Sequence, residues 1–161
     1  MLTQNEIHSW DPNNKEKSLE EYALWLNQIA RGAFLQLGHH QQMFFFVTEA
    51  GEIEGCQFRD GLSQEKRDAA IQQQQSLIKP YGTIQILITQ IYHPLLTSHP
   101  KAQQLLFAGD TELSSKELVR DCLLVRVLSR NGKDKMLANP IIREGNRVVL
   151  APMVIASPAH F

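Results

Sequence analysis

Two tight turns in the C-terminal part of the chain constrain its fold more than any other feature. The first, Arg130-Asn131-Gly132-Lys133, separates the apolar run Cys122–Ser129 from Asp134–Arg143. Asn-Gly between two such runs is a strong hairpin signal, because a type I′ turn needs positive φ at both central residues. The second turn, Glu144-Gly145-Asn146, has similar chemistry and leads into Arg147–Ile155. This part of the chain is therefore predicted to form a three-stranded antiparallel meander.

Two helices are predicted nearer the N-terminus. Ser18 and Glu21 form a capping box that would start the first helix, and Gly38 is suited to end it. The second helix would start at Ser63, a good N-cap residue, and end before Pro80, which disfavours helical geometry at the preceding residue. The apolar face of the first helix is predicted to consist of Leu19, Tyr22, Ala23, Leu26, Ile29 and Ala30.

Three further segments have the composition of strands. Met43–Val47 is a dense apolar run, Glu52–Phe58 returns after a turn, and Thr83–Tyr92 alternates isoleucines with polar residues. The predicted order is α-β-β-α-β-(loop)-β-β-β. This is an α+β fold with a single antiparallel sheet of five to six strands and two main helices, which we expect on one face of the sheet.

The domain organisation follows from where this periodicity begins and ends. Residues 1–17 are predicted to be a flexible N-terminal arm, with Trp10 as its one large anchor. Residues 18–156 are predicted to form a single α+β domain, and residues 157–161 a tail. Between His93 and Arg120 the periodicity weakens, and short helices are possible at 100–107 and 114–118. Excursions of this length in a small domain are usually functional or mobile.

Charge and composition exclude several classes of function. Among 161 residues, 16 basic and 17 acidic side chains give a formal charge of −1, so nothing in the charge balance indicates nucleic-acid binding. No apolar run is long enough to cross a membrane, and the polar N-terminus has no signal-peptide core. A cytoplasmic location is expected, where Cys56 and Cys122 are more plausible as small buried side chains than as a disulfide.

The histidines provide the main candidates for a site. His39 and His40 follow the first helix, and His93 and His99 flank the entry to the long connection. Imidazole is a favoured zinc ligand, but HExxH and paired CxxC motifs are absent, so neither a metal nor another cofactor is predicted. Arg126, within an apolar strand, could face a pocket and pair with a carboxylate, but a position on the solvent-facing side of an antiparallel sheet is favoured.

Apolar surface is the second candidate feature. Because side chains alternate along a strand, Phe44, Phe45 and Phe46 cannot all face the same layer. Together with Leu87 and Ile91 they could leave apolar area on the second face of the sheet. A second copy of the chain would cover such area most simply, and folding back of the long connection is the alternative.

Residues 18–155 resemble a widespread group of small uncharacterised bacterial proteins. The matching motifs are Gly38-His39-His40 with Met43 at the start of the first strand, the connection from the second helix to the next strand that ends at Gly82, Asp121-Cys122-Leu123-Leu124-Val125 and Pro140-Ile141-Ile142-Arg143. The chain departs from that group at Gln41-Gln42, where prolines are usual, and at Gln90-Ile91-Tyr92, where an acidic-aromatic motif is usual. The predicted order of elements is also similar to roadblock and profilin-like domains, which mostly act as dimeric adaptors, although fold alone does not fix function.

The sequence therefore favours a non-enzymatic protein-interaction module that acts as a homodimer and binds neither nucleic acid nor membrane. The alternative is a small-ligand or metal-binding enzyme with a site near His39, His40, His93, His99 and Arg126.

Overall fold

The computed structural model describes residues 10–57, 62–92 and 119–156, and it confirms the α+β class with a single antiparallel sheet. In chain order the elements are α1 (Lys15–Leu37), β1 (Met43–Val47), β2 (Ile53–Gln57), α2 (Gln64–Ile78), β3 (Gly82–Tyr92), β4 (Val119–Ser129), β5 (Asp134–Glu144), β6 (Arg147–Leu150) and β7 (Val154–Ala156). The strand order is β2-β1-β3-β4-β5-β6, and β7 pairs with β5.

The predicted meander is present, but its first turn differs from the expected type. Gly132 has a φ of 84°, whereas Asn131 stays at negative φ, so this turn uses one left-handed residue and not the two of type I′. The Gly132 N–H donates to the carbonyl of Ser129 at 3.0 Å. A wider loop with one left-handed glycine joins β4 and β5 just as well, because the glycine alone absorbs the unfavourable φ.

The last predicted strand is divided into two. β6 pairs with β5 over Ile141–Glu144, and β7 pairs with β5 over Met136–Ala138. Pro140 lies on β5 between these two partners, and its carbonyl accepts a hydrogen bond from the Ala151 N–H at 2.9 Å. Pro152 lies in the break between β6 and β7. The two prolines therefore lie where β5 changes its partner from β7 to β6. A proline has no N–H to donate to a neighbouring strand, which favours such a position.

The first helix begins earlier than the sequence predicted. It starts at Lys15, and the Asn14 side chain caps it by accepting from the Lys17 N–H. Ser18 is instead buried inside the helix, where its hydroxyl accepts a hydrogen bond from the Asp11 N–H at 2.8 Å. The capping-box prediction was therefore wrong, because Asn14, four residues earlier, caps the helix by accepting from the Lys17 N–H. The predicted end at Gly38 is confirmed by a φ of 76°.

The two helices lie on opposite faces of the sheet, which corrects the expectation that they share one. Phe44 and Phe46 point to the face that α2 covers, where they pack with Ile71 and Ile78. Phe45, of opposite parity in β1, packs against the larger core under α1. The buried members of that larger core are Leu19, Tyr22, Ala23, Leu26, Ala30, Phe34, Val47, Tyr81, Ile84, Ile86, Leu123, Val125, Val127, Leu137 and Ile141.

A polar network lies inside the interface between α1 and the sheet. Asn139 on β5 is fully buried, and its Nδ2 donates to Asn27 Oδ1 at 2.7 Å and to the Leu123 carbonyl at 2.8 Å. Arg31 Nη1 donates to Asn139 Oδ1 at 2.9 Å and to the Ala151 carbonyl at 2.8 Å. These bonds join α1 to β4, to β5 and to the break before β7.

Several predictions concern residues outside the described ranges. These are His93, His99, the two short helices at 100–107 and 114–118, and the tail at 157–161. Within the arm predicted at 1–17, residues from Trp10 onward are described. The centroid of the Trp10 ring lies 6.2 Å from that of Tyr22 and 5.9 Å from that of Tyr81. Neither α1 nor α2 combines the length and apolar character needed to span a bilayer.

Candidate functional site

The connection between α1 and β1 carries both described histidines of the predicted site. His39 and His40 line the same cleft, of about 530 Å³, but Arg126 is not among the residues that line it. The structure thus brings together two of the three predicted residues that it describes. In place of Arg126, the cation in the cleft is Arg67, from the first turns of α2.

The cleft exists because β3 is longer than β1. Met43, the first residue of β1, pairs with Ile86, so β3 continues beyond the end of its neighbour from Leu87 onward. The chain from His39 to Gln42 passes beside this overhang, and the N-terminal turns of α2 close the other side. The residues that line the cleft are His39, His40, Gln41, Gln42, Gln64, Arg67, Leu87 and Ile88.

Arg67 is the one fully charged residue of this lining. Its side chain is half-buried, and its Nη1 donates to Gln42 Oε1 at 2.7 Å. Its Nε is buried without a hydrogen-bond partner in the described part of the chain. No carboxylate pairs with it among the described residues, since the ion pairs there involve other cations. The cleft therefore contains a positive charge that is not neutralised by a described side chain.

His40 has a defined tautomer in its neutral form. Its Nδ1 lies 2.7 Å from the carbonyl oxygen of Gln41. A carbonyl oxygen only accepts hydrogen bonds, so Nδ1 must carry the proton. The Nε2 atom of neutral His40 is then an acceptor, whereas the protonated ring would present a second donor there.

A smaller, apolar pocket of about 300 Å³ adjoins the cleft. It shares His39, His40 and Gln41 with the cleft, and its other walls are Ala33, Leu37 and Met43. The same three-residue segment therefore separates a polar concavity from an apolar one. Since α1 ends at Leu37, this arrangement follows directly from where the helix stops.

Arg126 has a different role from the one considered in the ligand-site hypothesis. On β4 its guanidinium donates to Asp134 on β5, with Nε–Oδ1 at 3.1 Å and Nη2–Oδ2 at 2.5 Å. The hydrogen bond to Asp134 raises the pKa of Arg126 above its ordinary value. Both side chains are partly exposed, so this is a cross-strand ion pair near solvent. Such a pair contributes at most about 1 kcal/mol to stability.

The described residues provide little for metal or thiol chemistry. They contain no group of three or more His, Cys, Asp or Glu side chains placed to hold a metal ion. Cys122 is fully buried, and burial raises the pKa of its thiol to about 12. Burial also raises the pKa of Cys56. Because the thiolate is the reactive form, neither cysteine is prepared to act as a nucleophile at neutral pH.

The predicted interface residues are distributed over both faces of the sheet. Phe44 and Phe46 are buried with α2, and Ile91 is buried beside Cys122, Leu124 and Ala138. Leu87 is half-buried at the cleft. In a separate position on the α1 side, the half-buried ring of Phe45 lies against Gly55 of β2, where an added Cβ would come within 2.7 Å of the ring.

A group of exposed apolar side chains of the first helix lies elsewhere, on its solvent side. We call this the outer face of α1 and define it by Leu24, Gln28, Ile29, Gly32, Leu35 and Gln36. Leu24 is 40% exposed, Ile29 49% and Leu35 51%. Between Leu24 and Leu37 the sequence contains one charged residue, Arg31, and its guanidinium is bonded to Asn139 and Ala151. The outer face itself carries no charge.

Gly32 lies at the centre of this face and has no role in packing within the described chain. A Cβ added there would meet no atom within 4 Å. Glycine inside a helix destabilises it by about 1 kcal/mol relative to alanine. The fold of one chain therefore gives no reason for glycine at this position.

Sequence reasoning missed both the outer face and Arg67. Ile29 fits the helical spacing of the core face, but it lies at the margin of that face and is half exposed. Arg67 belongs to a mixed run of charged and amide residues, and nothing local distinguishes it from a solvated side chain. The one signal in the sequence for the outer face is the scarcity of charged residues between Leu24 and Leu37. It can be interpreted only when the buried side of the helix is known.

Comparison with protein-family models, characterised proteins and solved structures found no significant match to this chain.

Proposed function

We propose that this protein is a non-enzymatic interaction module that acts as a homodimer, with the outer face of α1 as the contact between the two copies. The observation that carries the proposal is the exposed, uncharged character of this face. A helix with one side in solvent normally carries charged residues on that side. Here Leu24, Ile29 and Leu35 are each at least 40% exposed, and the other exposed residues from 24 to 36 are Gln28, Gly32 and Gln36.

A second copy of the chain is the partner that this surface fits best. In a two-fold symmetric contact the same patch meets itself, so any charge near its centre would face a like charge. A patch without charge avoids that repulsion. A partner of opposite charge would have nothing to recognise here, because Arg31 is directed inward to Asn139 and Ala151.

Gly32 supports a contact between two helices. Helix axes pack about 8–10 Å apart, and the distance depends on the side chains at the crossing point. A glycine at that point permits close approach of the second helix. If two antiparallel copies cross at Gly32, Leu35 of one copy lies opposite Ile29 of the other, and Gln36 lies opposite Gln28. Apolar side chains then contact apolar side chains, and amides contact amides.

The cysteines support a cytoplasmic location for this module. Cys56 and Cys122 are both unpaired. Reduced thiols are the norm in the cytosol, whereas secreted domains usually oxidise their cysteines in pairs. This location remains part of the proposal.

The test is the mass of the protein in solution, measured by light scattering and by sedimentation over a wide range of concentrations. We expect a mass near twice 18.3 kDa that falls toward 18.3 kDa on dilution. Ile29→Glu and Leu35→Glu should each weaken association at least about tenfold, because each places a desolvated charge at the centre of the contact.

Leu77→Glu is the matched control for these variants. Leu77 is also an exposed apolar residue on a helix, at 74%, but it belongs to α2. It should leave the mass unchanged. A wild-type protein that remains a monomer at every concentration would refute the homodimer. Equal effects of Ile29→Glu and Leu77→Glu on association would refute the assigned face.

A further inference from the structure

We infer that the cleft between His39, Gln42 and Arg67 is a binding site for a small organic anion whose carboxylate or phosphate group pairs with Arg67. This goes beyond the proposed homodimer and does not depend on it. The outer face of α1 and the cleft are formed by different residues.

The charges that line the cleft favour an anionic ligand. Its lining, as far as the structure describes it, includes one guanidinium, two imidazoles and three amides, but no carboxylate. The nearby carboxylate of Asp68 is engaged by the Gln64 amide, which donates to its Oδ1 at 2.8 Å. The described side chains that line the cleft therefore carry a net positive charge, which favours an anion.

Arg67 differs from the half-buried Arg31 and Arg126 in its hydrogen-bond partners. Arg31 donates to an amide and a backbone carbonyl, and Arg126 has the carboxylate of Asp134. Arg67 has one described partner, the neutral side chain of Gln42. A guanidinium that loses part of its water without gaining an anion is unfavourable, and its planar fork matches carboxylate and phosphate groups. A bound anion would supply the missing partner.

The size and composition of the cavity suit a small ligand. A volume of about 530 Å³ lies in the usual range of small-ligand pockets. Leu87 and Ile88 provide an apolar wall from the overhang of β3, and the amides of Gln41 and Gln64 can orient polar groups of the ligand. The site thus suits a small molecule with one anionic group and a compact apolar part.

The test uses two probes, inorganic phosphate and sodium benzoate, at constant ionic strength adjusted with sodium chloride. Binding is measured by titration calorimetry, and the unfolding temperature is recorded in parallel. At ten times the dissociation constant of a bound probe, the unfolding temperature should rise by about 3–6 °C. At least one probe should bind the wild-type protein, and Arg67→Gln should weaken that binding at least about tenfold.

Arg126→Gln is the matched control, because it removes an arginine that Asp134 already neutralises. It should bind the probe like the wild type. Arg67→Lys retains the charge without the planar fork and should bind with intermediate strength, which tests the site even if Arg67→Gln folds poorly. Phosphate also stabilises proteins nonspecifically, but that effect should be equal in all variants. Failure of both probes to bind, or equal binding by wild type and Arg67→Gln, would overturn the assignment.

Discussion

Asn139 on β5 donates a hydrogen bond of 2.7 Å to Asn27 on α1, at a place in the core where both side chains are buried. The same Asn139 amide bonds the Leu123 carbonyl and accepts from Arg31. A single side chain thereby satisfies polar groups from the helix, from the neighbouring strand and from an arginine. Buried networks of this kind stabilise a protein only when all their members are paired.

We therefore expect Asn139→Ala to lower the free energy of unfolding by about 2–4 kcal/mol, because it leaves buried partners unsatisfied. Denaturant unfolding measures the change. Asn131→Ala is the control, since Asn131 is an exposed turn residue whose amide reaches Glu16 at 3.2 Å, and its loss should be within about 0.5 kcal/mol. Equal losses for the two variants would contradict a structural role for the network.

The glycines of the two wide hairpin loops offer a second comparison. Gly51 and Gly132 have nearly equal φ values, 85° and 84°. A Cβ on Gly132 would meet open space, whereas a Cβ on Gly51 would lie 2.1 Å from Trp10 Cγ. Gly132→Ala should therefore destabilise the protein by about 1–2 kcal/mol through backbone strain alone. Gly51→Ala should cost about 2 kcal/mol more, because it also displaces the Trp10 ring.

Thermal or chemical unfolding, together with tryptophan fluorescence, distinguishes the two effects. Trp10→Ala should remove the additional penalty of Gly51→Ala. The double variant should therefore lose less free energy of unfolding than the sum of the losses in the two single variants. Strict additivity would show that Trp10 does not limit position 51.

Gly32→Leu should affect the monomer and the proposed dimer in opposite directions. In the single chain, leucine is a better helix former and has room at this position, so the monomer should be stabilised by about 0.5–1 kcal/mol. In the dimer, the added side chain should separate the two helices and weaken association at least about tenfold. Unfolding at low protein concentration measures the first effect, and sedimentation measures the second. Stabilisation without weaker association would indicate that α1 does not form the contact.

Alkaline pH should destabilise the fold through Cys122. In the unfolded chain this thiol loses its proton near its usual pKa of 9.0, whereas burial raises its pKa in the folded protein to about 12. The unfolded state consequently binds fewer protons than the folded state between these values. The free energy of unfolding should therefore fall by about 1 kcal/mol for each pH unit in that window.

Chemical unfolding at several pH values between 8 and 10 tests this expectation, with Tyr22 and Tyr81 adding to the fall only as pH approaches 10.0, the ordinary pKa of tyrosine in the unfolded chain. The pKa values of both tyrosines are raised by burial, that of Tyr81 to about 12. Cys122→Ala should remove most of the slope even if the variant is less stable at every pH. Cys56→Ala is the comparison: burial also raises the pKa of Cys56, but this thiol is only half-buried, so the variant should remove less of the slope than Cys122→Ala. An unchanged slope in Cys122→Ala would show that another group is responsible.

Local signals predicted much of the fold, and their success has a physical reason. Ser63 caps α2 by accepting from the Lys66 N–H, Lys79 leaves the helix before Pro80, and Gly38 ends α1. Each of these outcomes depends on a few adjacent residues. The same is true of the glycines at the hairpin turns, whose positive φ values need no distant contact.

The candidate site was predictable only in part. His39 and His40 were found because two adjacent histidines after a helix stop are visible in the sequence. Arg67 was not, because its importance depends on the absence of a carboxylate from residues far away in the chain. Arg126 was considered for the site, although Asp134, eight residues further on, already holds it in the hairpin.

By itself, the sequence determined the class of fold, the order of its elements, three of the four ends of α1 and α2 and the positions of its turns. These properties follow from backbone conformation and from the alternation of side chains along each element. Tertiary structure alone decided that α1 and α2 lie on opposite faces, that Asn139 is a core residue and that Ile29 is exposed. Those outcomes depend on which surfaces meet, and burial is a property of the whole assembly of elements that no local pattern specifies.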